Sequence, residues 1–257
     1  MTLRHTLRRP VVIAWLLLPI GACSAPSGGA STPSAYLRGD PYDRLVIEVD
    51  VVSGLMPRDG VAEALIAGLD EILDKPSGIE VVIDETLPGR SDGTPWTFAD
   101  LRRLSEETFD RDVDGTTATF HTLWLDGTYE GSDGSGSVLG VAWSNRSLAI
   151  FADALAGSCR ARRPAIREAL CREAETAIWT HEAGHVLGLV NNGVPMVEDH
   201  EDPDHPAHTL NEDGIMYWAY EGARVVDLLE DLLDAGDGAD LGFGPESLAD
   251  LAAFRDR

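Results

Sequence analysis

In Thr180-His181-Glu182-Ala183-Gly184-His185-Val186-Leu187-Gly188-Leu189-Val190-Asn191, two histidines stand one helical turn apart with an acid directly after the first. At that spacing both imidazoles leave the same face of a helix. Two nitrogens so placed can share one Zn2+. Glu182 leaves the helix in another direction, suited to a water beside the metal, where a carboxylate can act as general base. Ala174, Ala177 and Ile178 before the motif, and Val186, Leu187 and Leu189 after it, keep the apolar period of a helix. A helix is therefore predicted over residues 164–189. Gly188 permits the left-handed turn that ends such a helix and reverses the chain.

Upstream, residues 44–52 alternate and are rich in Val and Ile, which reads as a strand. Residues 61–73 carry apolar side chains at helical spacing and stop at Lys75-Pro76. Strands are predicted over 79–83, 117–125, 138–143 and 147–151, and a helix over 97–109 with Thr97 as its cap. Downstream, 191–213 reads as an acidic, His- and Pro-containing loop, 215–220 as a compact apolar turn, and 225–233 and 245–254 as closing helices. The order β-α-β-α-β-β-β-α predicts an α/β layered domain with a mixed, mostly parallel sheet.

A catalytic zinc needs a third protein ligand. His200, His205 and His208 all follow the motif. So does Gly214-Ile215-Met216-Tyr217-Trp218, a tight turn centred on a methionine. The helix motif with Gly188, together with this turn, resembles the metzincin zinc peptidases. That family has a third His three residues past the Gly, a position held here by Asn191, a poor zinc ligand. The stretch from His208 to Met216 keeps the spacing of the archaemetzincins, which place the third His and a Cys before four residues and then Cys-x-Met. Thr209 and Gly214 stand where that family has cysteines. Counting back from Met216 selects His208, at the cost of a seventeen-residue insertion after Asn191. His205, His200, Asn191 and Asp199 remain the other candidates.

The resemblance implies a metzincin-like fold with an active-site helix and C-terminal helices. It implies zinc held by His181, His185 and a third histidine, a water in the fourth position, and Glu182 as base. Met216 would form an apolar floor without ligating. Tyr217 or Tyr220 would either assist the oxyanion or simply pack. The reaction class implied is zinc-dependent hydrolysis of a peptide bond in a peptide or protein substrate.

The N-terminus carries a different message. Arg4, Arg8 and Arg9 precede a short apolar run that ends at Pro19, and Ile20-Gly21-Ala22-Cys23 closes it. The run is shorter than the about 20 apolar residues that span a bilayer. It reads as a signal peptide over 1–22, with Cys23 resembling the lipidated cysteine of a bacterial lipobox. Residues 23–40 are expected to be the lipidated Cys and a flexible Ser/Gly/Pro linker, and 41–257 the metallopeptidase-like domain. The location implied is the cell envelope, outside the cytoplasm, with contact to the membrane through the lipid only. Cys159 and Cys171 are then an even pair in an oxidising compartment, where a disulfide is expected.

A net charge of −24 over 257 residues opposes binding to nucleic acid. A monomer is expected. Asp110-Arg111-Asp112-Val113-Asp114-Gly115 begins like a calcium loop, but His121 stands where the closing Glu belongs, so a plain turn is expected. The competing function is a zinc-binding or zinc-buffering lipoprotein on a peptidase fold, raised by Asn191. The presence of Glu182 argues against it, because a storage site has no use for a base.

Overall fold

The computed structural model describes residues 30–256 apart from 91, 112, 133–136 and 236–240. The expected signal segment and Cys23 lie outside the described residues. Five strands form one sheet in the order β2-β1-β3-β5-β4. They are β1 (Arg44–Val52), β2 (Ile79–Leu87), β3 (Thr117–Leu125), β4 (Gly140–Trp143) and β5 (Ser147–Phe151). β1 pairs parallel with β2 and β3, and β3 parallel with β5; only β4 runs antiparallel, on β5. The sheet is therefore mixed and mostly parallel, as expected.

Parallel strands covered on both faces read as near-continuous apolar runs, and β3, at the centre, is buried along its whole length. Alternate residues serve two cores. Leu45, Ile47, Val49, Phe120 and Trp124 join the core beneath the long helix, whereas Val52, Leu123, Leu125 and Phe151 join Trp96 and Leu101 on the opposite face.

The helices are α1 (Pro33–Leu37), α2 (Val61–Asp70), α3 (Phe98–Thr108), α4 (Ala152–Arg160), α5 (Arg167–Leu187), α6 (Arg224–Ala235) and α7 (Pro245–Arg255). Thr97 caps α3 through a reciprocal box with Asp100. α5 is buried on nearly every side from Ala174 onward, so its sequence has no simple polar face. It ends in a Schellman turn at Gly188, φ 93°, with Leu189 N–H on the Gly184 carbonyl and Gly188 N–H on that of His185, both 3.1 Å. Among the described residues no helix is long and apolar enough to cross a membrane.

Three expectations change. The linker does not extend to residue 40. Ala30 exchanges backbone hydrogen bonds with Thr117 and Thr119, Thr32 caps α1, and Ala35, Tyr36 and Leu37 are buried. Those apolar side chains give the segment something to bury, which the Ser/Gly composition around them concealed. α4 was not anticipated; only Ala152, Leu155 and Cys159 carry its buried face, and Gly157 and Ser158 dilute the pattern. Third, Cys159 and Cys171 are free buried thiols with no disulfide between them. Burial pushes the Cys159 thiol well above its ordinary range, so it stays protonated in the apolar core.

Candidate metal centre

His181 and His185 project from the buried C-terminal half of α5 with their Nε2 atoms 3.1 Å apart. The loop 191–213 folds back and delivers His208 against them, its ring stacked on His181 at 5.3 Å between centroids. The donor atoms of His181, His185, His208 and Glu221 all lie within 4.8 Å of one another. The other candidates are engaged elsewhere. His200 lies between Thr209 Oγ1 (3.1 Å) and Asp250 Oδ2 (2.9 Å). His205 bonds Asp202 and stacks on Trp218. Asn191 takes a left-handed backbone, φ 60°, and its amide donates to Glu201. Asp199 is not in the donor set.

Tautomers follow from the partners. His181 Nδ1 donates to the Ile215 carbonyl at 2.6 Å, and His208 Nδ1 to the Pro206 carbonyl at 3.1 Å. A carbonyl only accepts, so both Nε2 atoms carry lone pairs in the neutral rings, the form a metal needs. His208 Nε2 has no hydrogen-bond partner, although Glu221 Oε1 lies 2.8 Å away out of line. Burial, with the neighbouring His181 and His208, lowers His185 to about 4, against the pull of Glu221. Converging buried lone pairs repel each other unless a cation lies between them, so the donor set fits zinc.

Glu182 is fully buried, and neither of its carboxylate oxygens has a partner. Burial, reinforced by the charge of Glu221, holds its carboxyl well above the usual range. It lies against β4 so closely that a Cβ at Gly140 would fall 2.5 Å from its Oε1. Met216 packs against the helix at Gly184, between the two motif histidines in sequence, where a Cβ would collide with its sulfur. The two tyrosines point away: both hydroxyls donate to Glu212, Tyr217 to its carboxylate and Tyr220 to its backbone carbonyl.

The sequence reading missed Glu221. It ends the 3-10 turn Trp218–Glu221 that follows Met216. An acid in an otherwise apolar turn beside a metal motif was the available signal. The calcium-loop resemblance gains no support, since Asp114 spends its carboxylate on the N–H of Thr116 and the hydroxyls of Thr116 and Thr117.

The fold thus gathers three imidazoles and a carboxylate at the C-terminal half of α5, where a metal ion could be held. No protein-family model matches the sequence. No curated protein matches it either. Among solved structures, the chain is similar to archaemetzincin from Methanopyrus kandleri, with a TM-score of 0.54 and 15% identity, over 84% of this chain and 97% of that one. A zinc-dependent peptidase from Methanocorpusculum labreanum aligns at 16% identity over 80% and 99% of the two chains, with a TM-score of 0.48.

Proposed function

We propose that the chain is a metzincin-like zinc endopeptidase, secreted and held at the cell envelope by a lipid on Cys23, with His181, His185 and His208 as ligands and Glu182 as general base. The observation that carries the enzymatic part is the orphaned Glu182 carboxylate beside three converging imidazoles. Leaving a buried carboxylate without partners costs several kcal/mol, a cost that a structural residue has no reason to bear. The anchor and the location rest on the sequence of residues 1–34 alone.

Zinc, when bound, lowers the pKa of a water toward neutrality and polarises a substrate carbonyl. The remaining work falls to the chain. Desolvation makes the Glu182 carboxylate basic enough to take a proton from the attacking water and pass it to the leaving amine. The Ile215 carbonyl fixes the tautomer and orientation of His181, as that of Pro206 does for His208. Met216 supports the donor set from below without ligating. β4 is an edge of the sheet and touches Glu182 at Gly140, so an extended peptide added along β4 would pass the base.

The test is zinc content of the purified protein, read beside cleavage of an unstructured protein substrate. One zinc per chain with cleavage that Glu182→Gln abolishes supports the peptidase. Zinc retention with no cleavage by the wild type would favour the zinc-binding alternative. Glu221 is the specific observation on that side, because its carboxylate stands at the corner a substrate would need.

A further inference from the structure

We propose that Glu221 is a fourth protein ligand, which caps the site in the resting protein and which any incoming ligand must displace. This rests on the zinc reading above. Zinc–nitrogen distances of about 2.0–2.1 Å at tetrahedral angles separate neighbouring ligand atoms by about 3.3–3.4 Å. His181 and His185 Nε2 are 3.1 Å apart, and Glu221 Oε1 lies 2.8, 3.6 and 3.8 Å from His208, His185 and His181. Those separations bracket a tetrahedral corner, and one carboxylate oxygen faces all three nitrogens. Glu182, although next to His181 in sequence, is not in the donor set.

Glu221 is also held in place. Its carbonyl accepts the Leu139 N–H at 2.8 Å, and Gly222 bridges Val138, so the backbone is sewn to the start of β4. The Tyr220 hydroxyl ties the same turn to Glu212. Among the described residues the basic groups paired with Glu221 are these three histidines. Among the described residues no arginine or lysine pairs with this carboxylate. Its side chain is 37% exposed, so it has a route out to solvent while its backbone stays fixed. Four protein ligands close a zinc site, as in structural centres, whereas three leave it open. Glu221 is therefore the group that sets whether this site is closed or open. Its chemistry predicts competition from small chelating anions that seek the same corner.

The experiment uses the full protein loaded with Co2+ in place of zinc, as wild type, Glu221→Gln, Glu221→Ala and His208→Ala. Visible absorption, chelator competition and titration with acetohydroxamate are the readouts. Glu221→Ala is expected to change the absorption bands and weaken Co2+ binding at least about 10- to 100-fold. It is expected to bind acetohydroxamate about 10-fold more tightly than the wild type, because the cap no longer competes. The isosteric Glu221→Gln should follow in the same direction with the fold intact. Bands, metal affinity and hydroxamate affinity unchanged in both Glu221 variants, with metal lost in His208→Ala, would overturn the cap and leave the three-histidine site standing. A wild type that holds no Co2+, or a His208→Ala protein that still does, would overturn the zinc reading and the cap with it.

Discussion

Two buried clusters in this molecule combine histidine with carboxylates, and they differ in one respect. Across the sheet, Glu48, Asp50 and His121 bring their donor atoms as close together as the residues on α5 do. There every group is answered. His121 Nε2 lies 2.8 Å from Asp50 and its Nδ1 2.9 Å from Ser105, which also meets Ser147. Asp50 accepts the Glu85 N–H, and Glu48 accepts those of Asp110 and Arg111. Ser105, His121 and Asp50 form the sequence of contacts of a nucleophilic triad, yet Ser105 is buried and its hydroxyl is already committed. At α5 the reverse holds: both Glu182 oxygens and His208 Nε2 lack partners. Residue types alone do not separate a site from a structural network. Unspent bonding capacity does.

That contrast can be broken by experiment. Glu182→Gln should lower peptide cleavage by about 100- to 10,000-fold with zinc content unchanged, as measured by initial rates and metal analysis. An equal loss from Ser105→Ala would reverse the assignment of the two clusters. His208→Ala should weaken zinc by about 100-fold in a chelator competition, whereas His200→Ala and His205→Ala should leave affinity within about 3-fold. On the sheet side, His121→Ala should cost about 2–4 kcal/mol in urea unfolding, because it leaves Asp50 Oδ2 buried without its imidazole partner. Its zinc stoichiometry should not change.

Gly184→Ala should cost about 1–3 kcal/mol, because the added methyl displaces Met216; a thermal unfolding midpoint equal to the wild type would remove the floor role given to that methionine.

The smallest effect concerns pH. Burial pushes the Glu48 carboxyl up from 4.5 to about 7, outweighing the two backbone N–H bonds it accepts. The folded protein thus keeps a proton that the unfolded chain releases at lower pH. The stabilisation is complete below pH 4.5 and is lost as pH rises to about 7. Stability should therefore fall across that window in the wild type. In Glu48→Gln the urea midpoint should be flatter with pH, and an identical slope in both proteins would count against this reading.

Legibility in the sequence followed the range of each interaction. β1, β3 and β5 were readable to the residue from their apolar runs, because a strand buried on both faces carries its environment in its composition. β2 extends to Leu87, past the expected stop at residue 83. Its outer half lies at an exposed sheet edge, where polar residues such as Asp84, Glu85 and Thr86 are tolerated. Cys159 and Cys171 are both buried in the core as free thiols, a state that their even number along the chain does not encode.

By itself the sequence determined the α5 motif. Two histidines and an acid at fixed positions on one helix need no long-range information, because the helical repeat alone sets their directions. It also selected His208 as the third candidate by its spacing to Met216, with His200 and His205 as alternatives. Only the tertiary structure shows which of them lies beside the α5 pair. His200, His205 and His208 share one loop, and which one reaches α5 depends on the partners that hold the other two: Thr209 and Asp250 for one, Asp202 and Trp218 for the next. Glu221 depends likewise on β4, which fixes its backbone from across the fold. Contacts between segments far apart in sequence have no periodic signature along the chain, so they emerge only when the core closes.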